Sequence, residues 1–577
     1  MTASPTSDSP RDYRATVFLP STSFAMKAGL PDAEPKLLAG WEKMDLYGRI
    51  RAQAKGRPRF VLHDGPPYAN GEIHSGTGLN KILKDFVVRS QGMLGRDAPY
   101  VPGWDCHGLP IEWKIEERYR AEGKTKDDVP IAQLRSDCRA FATHWIGVQR
   151  EQFKRLGCIG EWDKPYTTMD FRAEAAIAGE LHKFVRNKLL YRGFRPVMWS
   201  PVEKTALAEA EVEYREKTSP AIYVKFPVVA VCESTQTQDG RWNSVTTTPE
   251  KMPELGLDNV SLVIWTTTPW TIPGNRAIAY SNDVEYGLYE VTGVSEGSLA
   301  ERGERLVLAD VLADQTAQAA KISLARRADV NPRNIASCSH PFYGRGYDFP
   351  VPLLPGEHVT ADAGTGFVHT APGHGEDDFE LGREHGLEVP RTVDEEGKFY
   401  PTVPLFGGKR ILTAEGKDGD ANGAVIKELI AANALLAKGS LRHQYPHSWR
   451  SKAPVIFRAT PQWFAAIDKP LAEFGGDTLR VRAMESIRAT RWFPRQAENR
   501  MAAMVDTRPD WVLSRQRAWG VPIAIFVHRE SGEILVDPDV DARIVDAFAQ
   551  EGADAWYNSP PRRFLGDGRD PDHYEQV

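Results

Sequence analysis

The chain is short of cysteine, of long apolar runs and of net positive charge. Its five cysteines, Cys106, Cys138, Cys158, Cys232 and Cys338, are scattered through 577 residues with no Cys-x-x-Cys pair. That spacing excludes a disulfide scaffold and a cysteine-built zinc site, and it fits a reducing cytoplasm. No uninterrupted apolar stretch reaches the roughly 20 residues that cross a bilayer, so no membrane partner is expected. The opening residues MTASPTSDSPRD are polar and lack the apolar core of a secretory signal, so residues 1–20 read as a disordered tail. A net charge of −6 gives no global nucleic-acid signature. It does not exclude RNA, which is bound through local basic surface and shape. Neither GxGxxG nor GxxxxGK[ST] occurs, which removes two familiar phosphate-binding signatures.

What is present is a globular composition, 41% hydrophobic and 26% charged, in a chain long enough for several domains. The densest stretch runs from Phe60 to Gln91. Phe60-Val61-Leu62 has the length of a buried strand, and a breaker-rich loop follows from Gly65 to Gly71. From about Gly76, Leu79, Ile82, Leu83, Phe86 and Val87 repeat at helical spacing and predict one apolar helix face. Strand, tight loop and helix start together form an anion site, because free N–H groups and the helix dipole point at the loop. His74 and Thr77 stand at that start with further donors.

Further on, residues 97–110 read as a short strand ending in a polar loop with Asp105, Cys106 and His107. Adjacent Cys106 and His107 suggest a thiol nucleophile, but no orienting partner is visible. Helical patterns cover about 28–58 and 140–195, followed by a strand at 195–199. From about 219 to 440 strand-like runs such as Ile222–Val229 and Ser261–Trp265 alternate with Gly/Pro-rich loops, and 233–259 shows little pattern. Two dense segments lie there, WTTTPWTIPGN (265–275) and GTGFVHTAPGHGEDDFELG (364–382). The second gathers His369, His374, Asp377 and Asp378, for which a metal site, a solvated acidic turn and a hydrolytic pocket compete. An arginine-rich helical region holds Arg480, Arg482, Arg488, Arg491, Arg495 and Arg500. It reads either as a solvated face paired to Glu485 and Glu498 or as an RNA contact.

HDGPPYANGEIHSGTGLNKILKD resembles the nucleotide-binding signature of class I aminoacyl-tRNA synthetases in its isoleucyl-type form. It departs from the family's His-x-Gly-His by having Thr77 in the last position. PGWDCHGLPIE resembles the amino-acid-binding segment of that type, and the two dense segments resemble its editing pocket. YPHSWRSKAPVIFRATPQWF (445–464) and DWVLSRQRAWGVPI (510–523) resemble segments that return the chain to the active site.

The resemblance implies an α/β fold: a Rossmann-like parallel-sheet catalytic domain interrupted by a large, mostly-β (α+β) editing insertion. Its expected divisions are 21–205 for the first catalytic half, 206–440 for the insertion and 441–577 for the returning part. It implies a nucleotide site of Gly65, Pro66, Tyr68, Asn70, Gly71, His74, Gly76 and Thr77, with His74 and Thr77 in the chemistry of activation. Pro66, Asp105 and Trp519 are implied for isoleucine, Asp105 taking the α-ammonium group. Thr266, Thr267, Thr268, Asn275, His369 and Asp378 are implied for editing, Asp378 fixing the α-amino group and orienting water.

The implied activity is isoleucine–tRNA ligation with hydrolysis of valyl-tRNA, using ATP with Mg2+ and tRNA(Ile), as a cytoplasmic monomer. Relatives can carry cysteine pairs where this chain has Ser200/Glu203 and Ser448/Ser451. Without those thiolates no zinc is expected. No KMSKS-like loop or anticodon-binding domain is found, so the chain reads as the amino-terminal part of such an enzyme. The alternatives are a valyl- or leucyl-type synthetase, which PPYANG and GWDCHG disfavour, and a stand-alone trans-editing or tRNA-binding protein.

Overall fold

Helices and paired strands in the computed structural model follow the two sequence periods, and the described residues are 13–18, 22–23, 27–236 and 242–577. Of the expected tail, residues 1–12 and 19–20 lie outside them, as do residues 237–241 of the pattern-poor stretch. The described chain divides into two compact units.

The first unit takes its residues from Met1–Ala176, Ala518–Val521 and Ile544–Ser559. It contains α1 (Leu30–Lys43), α2 (Leu46–Ala54), α3 (Ser75–Met93), β1 (Gly103–Trp104), α4 (Leu109–Ala121), α5 (Ile131–Arg155), β2 (Tyr166–Thr167) and the start of α6 (Phe171–Arg186). Three extended segments run parallel: Arg59 bridges Asp97, Tyr68 bridges Asp105, and β1 pairs with β2. The core behind them holds Trp104, Ile111, Cys138, Phe153, Trp162 and Trp519, with the Phe153 and Trp162 rings stacked at 6.0 Å.

Two expectations are corrected in this unit. Phe60–Leu62 forms no continuous ladder, and Val61 is 67% exposed. The segment meets residues 97–105 on one side and, among the described residues, pairs with nothing on the other. The helix at the loop's end is present, but its buried face is not the apolar one. Leu79, Leu83, Phe86 and Val87 are exposed, whereas Gly78, Lys81, Asp85 and Val88 are buried. The charged residues are tolerated inside because each is satisfied there: Lys81 by Asp64 and Tyr100, Asp85 by Arg89 and the Ile159 N–H.

The second unit spans Ile177–Arg517, Pro522–Arg543 and Pro560–Val577. Its first strands are β3 (Leu190–Ser200), β4 (Thr205–Ala206), β5 (Val212–Gln236), β6 (Trp242–Thr247), β7 (Val260–Thr266), β8 (Ala277–Tyr280), β9 (Tyr286–Val294) and β10 (Arg305–Ala309). After α7 (Ala313–Ala320) come β11 (Ile322–Val330), β12 (Ile335–Ser339), β13 (Pro350–Pro355) and β14 (Phe367–Thr370). The helices α8 (Glu376–Glu384) and α9 (Ala421–Ala431) precede β15 (Leu435–Ser448) and β16 (Ile456–Ala465). The unit continues with α10 (Leu479–Ala489), α11 (Ala497–Asp506) and β17 (Trp511–Val512).

Eleven of these strands form one mixed sheet around β5. Ile222, Val224 and Phe226 of β5 enter one apolar cluster, and Tyr223 enters another on the opposite face. This is the period-two pattern of a strand covered on both sides. β5 and β15 pair antiparallel from Val212↔Ser448 to Val224↔Leu435, so the chain enters and leaves this sheet along one ribbon. A separate four-stranded sheet runs β17-β16-β3-β4. In the arginine-rich region the ion pair found is Arg480 with Asp468, at 2.7 Å, in place of the expected pairs to Glu485 and Glu498. Arg480 also donates to the carbonyls of Asp506 and Arg508, closing the α10–α11 hairpin, which explains why it faces inward.

Candidate functional site

His74 is the N-cap of α3, and its Nδ1 accepts from the N–H groups of Gly76 at 3.1 Å and Thr77 at 3.3 Å. This corrects the expectation that those helix-start donors stand free for an anion. Accepting at Nδ1 leaves the ring proton on Nε2, so this chain offers an imidazole N–H and the Thr77 hydroxyl at the loop's end. The loop is held from several sides. Gln149 donates to the carbonyls of Tyr68 at 2.9 Å and Gly71 at 2.6 Å, and the Ala69 N–H donates to the Asp105 carbonyl at 3.0 Å. Pro66 lies against Gly103 so closely that a Cβ there would be 3.3 Å from the proline Cβ. Asn70 is half-buried at the turn.

Beneath the loop Asp64 accepts from Lys81 Nζ at 2.7 Å, the Tyr100 hydroxyl at 3.0 Å, the Gly103 N–H at 3.1 Å, and Lys84. Lys84 also donates to the Gly65 carbonyl at 2.9 Å. Burial pushes the Asp64 carboxyl up, but the bonds and charge of the two lysines outweigh it and hold the group below the ordinary carboxylate range.

The second loop turns into α4 at Gly108, whose φ of 82° is left-handed and whose N–H donates to the Trp519 carbonyl. Asp105 is half-buried, and burial pushes its carboxyl up, opposed by the His107 N–H, Thr168 and Tyr68. Among the described residues it forms no ion pair, so an incoming ammonium group would meet a carboxyl group held only by hydrogen-bond donors. Trp519 is fully buried: its indole N–H donates to the Cys106 carbonyl at 2.6 Å and its ring meets the His107 ring edge-on at 5.0 Å. It therefore backs the loop and presents no open face. His107 does have an orienting carboxylate, Glu174 at 3.0 Å. Cys106 is nonetheless no nucleophile. Its thiol is buried, points at the Trp104 carbonyl, and is pushed up to about 12 by burial.

In the second unit a row of side chains is joined by hydrogen bonds. The Thr266 and Thr268 hydroxyls lie 3.2 Å apart, those of Thr268 and Thr271 3.4 Å apart, and Thr271 reaches His369 Nε2 at 2.7 Å. Asn275 donates its amide N–H to His369 Nδ1 at 3.0 Å, so Nε2 carries the proton and donates to Thr271, which in turn donates to the Thr268 carbonyl. Burial holds His369 well below the usual imidazole range, down to about 3. With both nitrogens engaged it shapes the pocket and does not move protons. Thr267, between Thr266 and Thr268 in the chain, is half-buried.

The row continues into β14. Asn275 Oδ1 and Thr370 Oγ1 are buried without a protein partner, leaving polar positions for water or a ligand. The next residue, Ala371, donates its N–H to Asp378 Oδ2 at 2.9 Å. Burial pushes the Asp378 carboxyl up to about 6, against the pull of that N–H. His374, neighbour of the row in sequence, is committed elsewhere: Nδ1–H donates to the Phe457 carbonyl at 2.9 Å and Nε2 accepts from Thr392 at 2.6 Å. His369, His374 and Asp378 thus have separate partners, and among the described residues no group of three or more His, Cys, Asp or Glu could hold a metal.

The family description "tRNA synthetases class I (I, L, M and V)" matches residues 36–577. The chain belongs to this family. Among curated relatives, isoleucine–tRNA ligase of Bradyrhizobium diazoefficiens is 54% identical over 583 residues, 96% of this chain and 56% of that protein. The Rhodopseudomonas palustris enzyme of the same name is 55% identical, with the same shares. That of Caulobacter vibrioides is 52% identical over 98% of this chain and 58% of that protein. The chain spans little more than half the length of the curated relatives it matches. The class I synthetase fold thus takes in both units.

Just past β3, the buried Glu203 is tied to the end of β15 by hydrogen bonds. Its buried carboxylate accepts from the Ser448 hydroxyl, 2.8 and 3.0 Å from its two oxygens, and from the Ser451 N–H at 2.9 Å. Residues missed from sequence are Thr271, Thr392 and Thr370. The spacing of three between Thr268 and Thr271 across the Pro269 turn was the available signal for Thr271. Nothing local pointed to the other two.

Proposed function

We propose that this chain carries the activating and editing sites of an isoleucine–tRNA ligase: ATP-dependent formation of isoleucyl-adenylate, transfer to tRNA(Ile), and hydrolysis of valyl-tRNA(Ile), as a cytoplasmic monomer. The observation that carries the reading is Asp105, a half-buried carboxyl group beside the Pro66–Tyr68 loop that forms no ion pair among the described residues, suited to the α-ammonium group of an amino acid. Relatives that share more than half of the aligned residues and bear that name support it.

ATP is a substrate that brings Mg2+ as its counter-ion. His74 Nε2–H, the Thr77 hydroxyl and the backbone of Gly65 and Gly71 are the groups assigned to its phosphates, with Gly76, its N–H held by His74 Nδ1, shaping the helix start beside them. Tyr68 and Asn70 are assigned to the nucleoside, and Trp519 to the back of the isoleucine site. Residues 206–440 are assigned to the editing insertion.

A second pocket follows from magnitudes. One methylene is worth only about 1–3 kcal/mol in an apolar pocket, a figure whose usual illustration is this enzyme family and which is not a quantity obtained from this chain. Thr266, Thr267, Thr268, Asn275 and His369 are assigned to shaping a hydrolytic pocket. Asp378 is assigned to the α-ammonium of valine and to orienting water.

The test is isoleucine-dependent ATP–pyrophosphate exchange, with valine and leucine as competitors, alongside deacylation of valyl-tRNA(Ile). Exchange driven best by valine or leucine would sink the isoleucine assignment. A second reading, an editing hydrolase without ligase activity, is favoured by the completeness of the Thr–His–Asn–Asp constellation within one unit. Deacylation without exchange is its signature.

A further inference from the structure

The loop that carries Asp105 is held by a carboxylate from another helix. Glu174, in the first turn of α6, is fully buried, and a charge so placed is tolerated only when its oxygens accept from strong donors. Its Oε1 accepts from His107 Nε2–H at 3.0 Å and from Arg139 at 3.3 Å, and its Oε2 from the Ala553 N–H at 2.7 Å. The last approach depends on a glycine: a Cβ at Gly552 would stand 2.9 Å from Oε2 and 2.7 Å from the Phe171 ring. One carboxylate thus ties the loop at 105–108, α5 and residues 552–553 together within the first unit.

Two of the three donors also touch Trp519. The His107 ring meets the indole edge-on at 5.0 Å, and the Arg139 guanidinium lies 5.1 Å from its centre. Trp519 does not depend on Glu174 for its own place, because its backbone N–H donates to the buried Glu112 at 2.9 Å and its indole N–H to the Cys106 carbonyl at 2.6 Å. What hangs on Glu174 is the His107 ring. Nε2 faces the carboxylate and carries the proton, so Nδ1 is left as an acceptor in the neutral ring, and among the described residues it has no hydrogen-bond partner. Asp105 Oδ1 takes long bonds, 3.5 Å from the His107 N–H and 3.4 Å from the Thr168 hydroxyl, so its aim follows the loop backbone.

We propose that Glu174 is a positioning residue for amino-acid binding: it fixes the His107 ring, and with it the loop that aims Asp105. The inference rests on the reading of Asp105 as the partner of an α-ammonium group. A carboxylate is needed because three donors converge on it. A glutamine of the same shape would turn an N–H group toward one of them and leave two buried donors face to face.

The test uses the full chain, with isoleucine and ATP binding each followed by titration calorimetry and the His107 tautomer read from its ring nitrogen shifts. In Glu174→Gln the isoleucine affinity should fall about tenfold, the worth of one hydrogen bond, with ATP affinity unchanged. The His107 ring should then populate the Nδ1–H tautomer beside the Nε2–H form. His107→Gln, whose amide N–H can stand in for Nε2–H, should keep most of the isoleucine affinity, and His107→Leu should lose as much as Glu174→Gln. Combining Glu174→Gln with His107→Leu should cost no more than either alone, as for residues acting through one contact. Wild-type isoleucine affinity in Glu174→Gln would overturn the proposal, and so would equal losses of isoleucine and ATP affinity. Where Glu174→Gln does not fold, the two His107 variants decide: equal affinities overturn the proposal, and the stated order upholds it. A wild-type chain that binds neither isoleucine, valine nor leucine sinks the reading of Asp105 alone, and the His107 tautomer in Glu174→Gln still decides the role of Glu174.

Discussion

Lys81 and Asp64 form an ion pair of 2.7 Å with both side chains almost wholly inside the first unit, below the loop that opens α3. The pair fixes three segments at once, because Asp64 also holds the Tyr100 hydroxyl and the Gly103 N–H while Lys84 ties it to Gly65. Asp64→Ala removes the centre and leaves a buried ammonium behind. It should cost about 3–5 kcal/mol of stability, the range for one partner lost from a buried pair. Lys81→Met should cost distinctly less, since Asp64 keeps three other donors. Urea denaturation of the two variants checks the order, and equal losses would refute a hub centred on the aspartate.

Asp378 should set opposite pH trends for chemistry and stability. Its carboxyl titrates near 6 because burial disfavours the charge, so hydrolysis that needs the carboxylate should rise with pH through about 6 and level off above. The folded chain holds this proton more tightly than the unfolded one. Its stabilising effect is therefore complete below the ordinary carboxylate value near 4 and is lost as pH rises to about 6. Asp378→Asn should abolish valyl-tRNA hydrolysis and yet be more stable than wild type at pH 8, by about 2 kcal/mol. The difference should vanish near pH 4. Calorimetry at the two pH values checks it.

Thr271 should matter more than a lining residue would. Thr271→Val strands the His369 Nε2–H and should cost about 1–3 kcal/mol, the usual penalty for an unsatisfied buried donor. The Nε2–H resonance of His369 should lose its hydrogen-bonded shift in the NMR spectrum, and Thr271→Ser should restore both. A valine variant with wild-type stability and an unmoved resonance would show that the bond is not formed.

Cysteine chemistry should be silent at the second loop. Cys106 is buried with its thiol pushed up to about 12, so iodoacetamide at pH 8 should leave it unmodified in the native chain. Cys232, half-exposed, should label first. Rapid native alkylation of Cys106 would reopen the nucleophile reading.

Much of this was legible in sequence, for identifiable reasons. Strands such as those around Ile222 and Ile264 announce themselves by apolar runs, and the α3 start by its breakers. The orientation of α3 was not legible. A count of apolar spacing places Leu79, Leu83 and Phe86 inside. Lys81 and Asp85 can displace them only because partners far along the chain, Asp64, Tyr100 and Ile159, satisfy them, and spacing carries no record of that. The committed N–H groups of Gly76 and Thr77 were hidden for a similar reason, since their acceptor is the His74 side chain, two and three residues earlier. In the pocket, the threonine run pointed to Thr266 and Thr268. It took the turn at Pro269 to bring Thr271 under His369.

The ribbon of β5 and β15 has a topological consequence. Val212 and Ser448 are direct partners, and Glu203 grips Ser448 from the side of the four-stranded sheet. Seen from that sheet, everything between them is a single oversized hairpin turn. That turn is also seated on the sheet, since Trp199 donates to the Glu395 carbonyl and Arg458 to the Val393 carbonyl, so a short reverse turn in its place would keep the two attachment points and strip these donors of their acceptors.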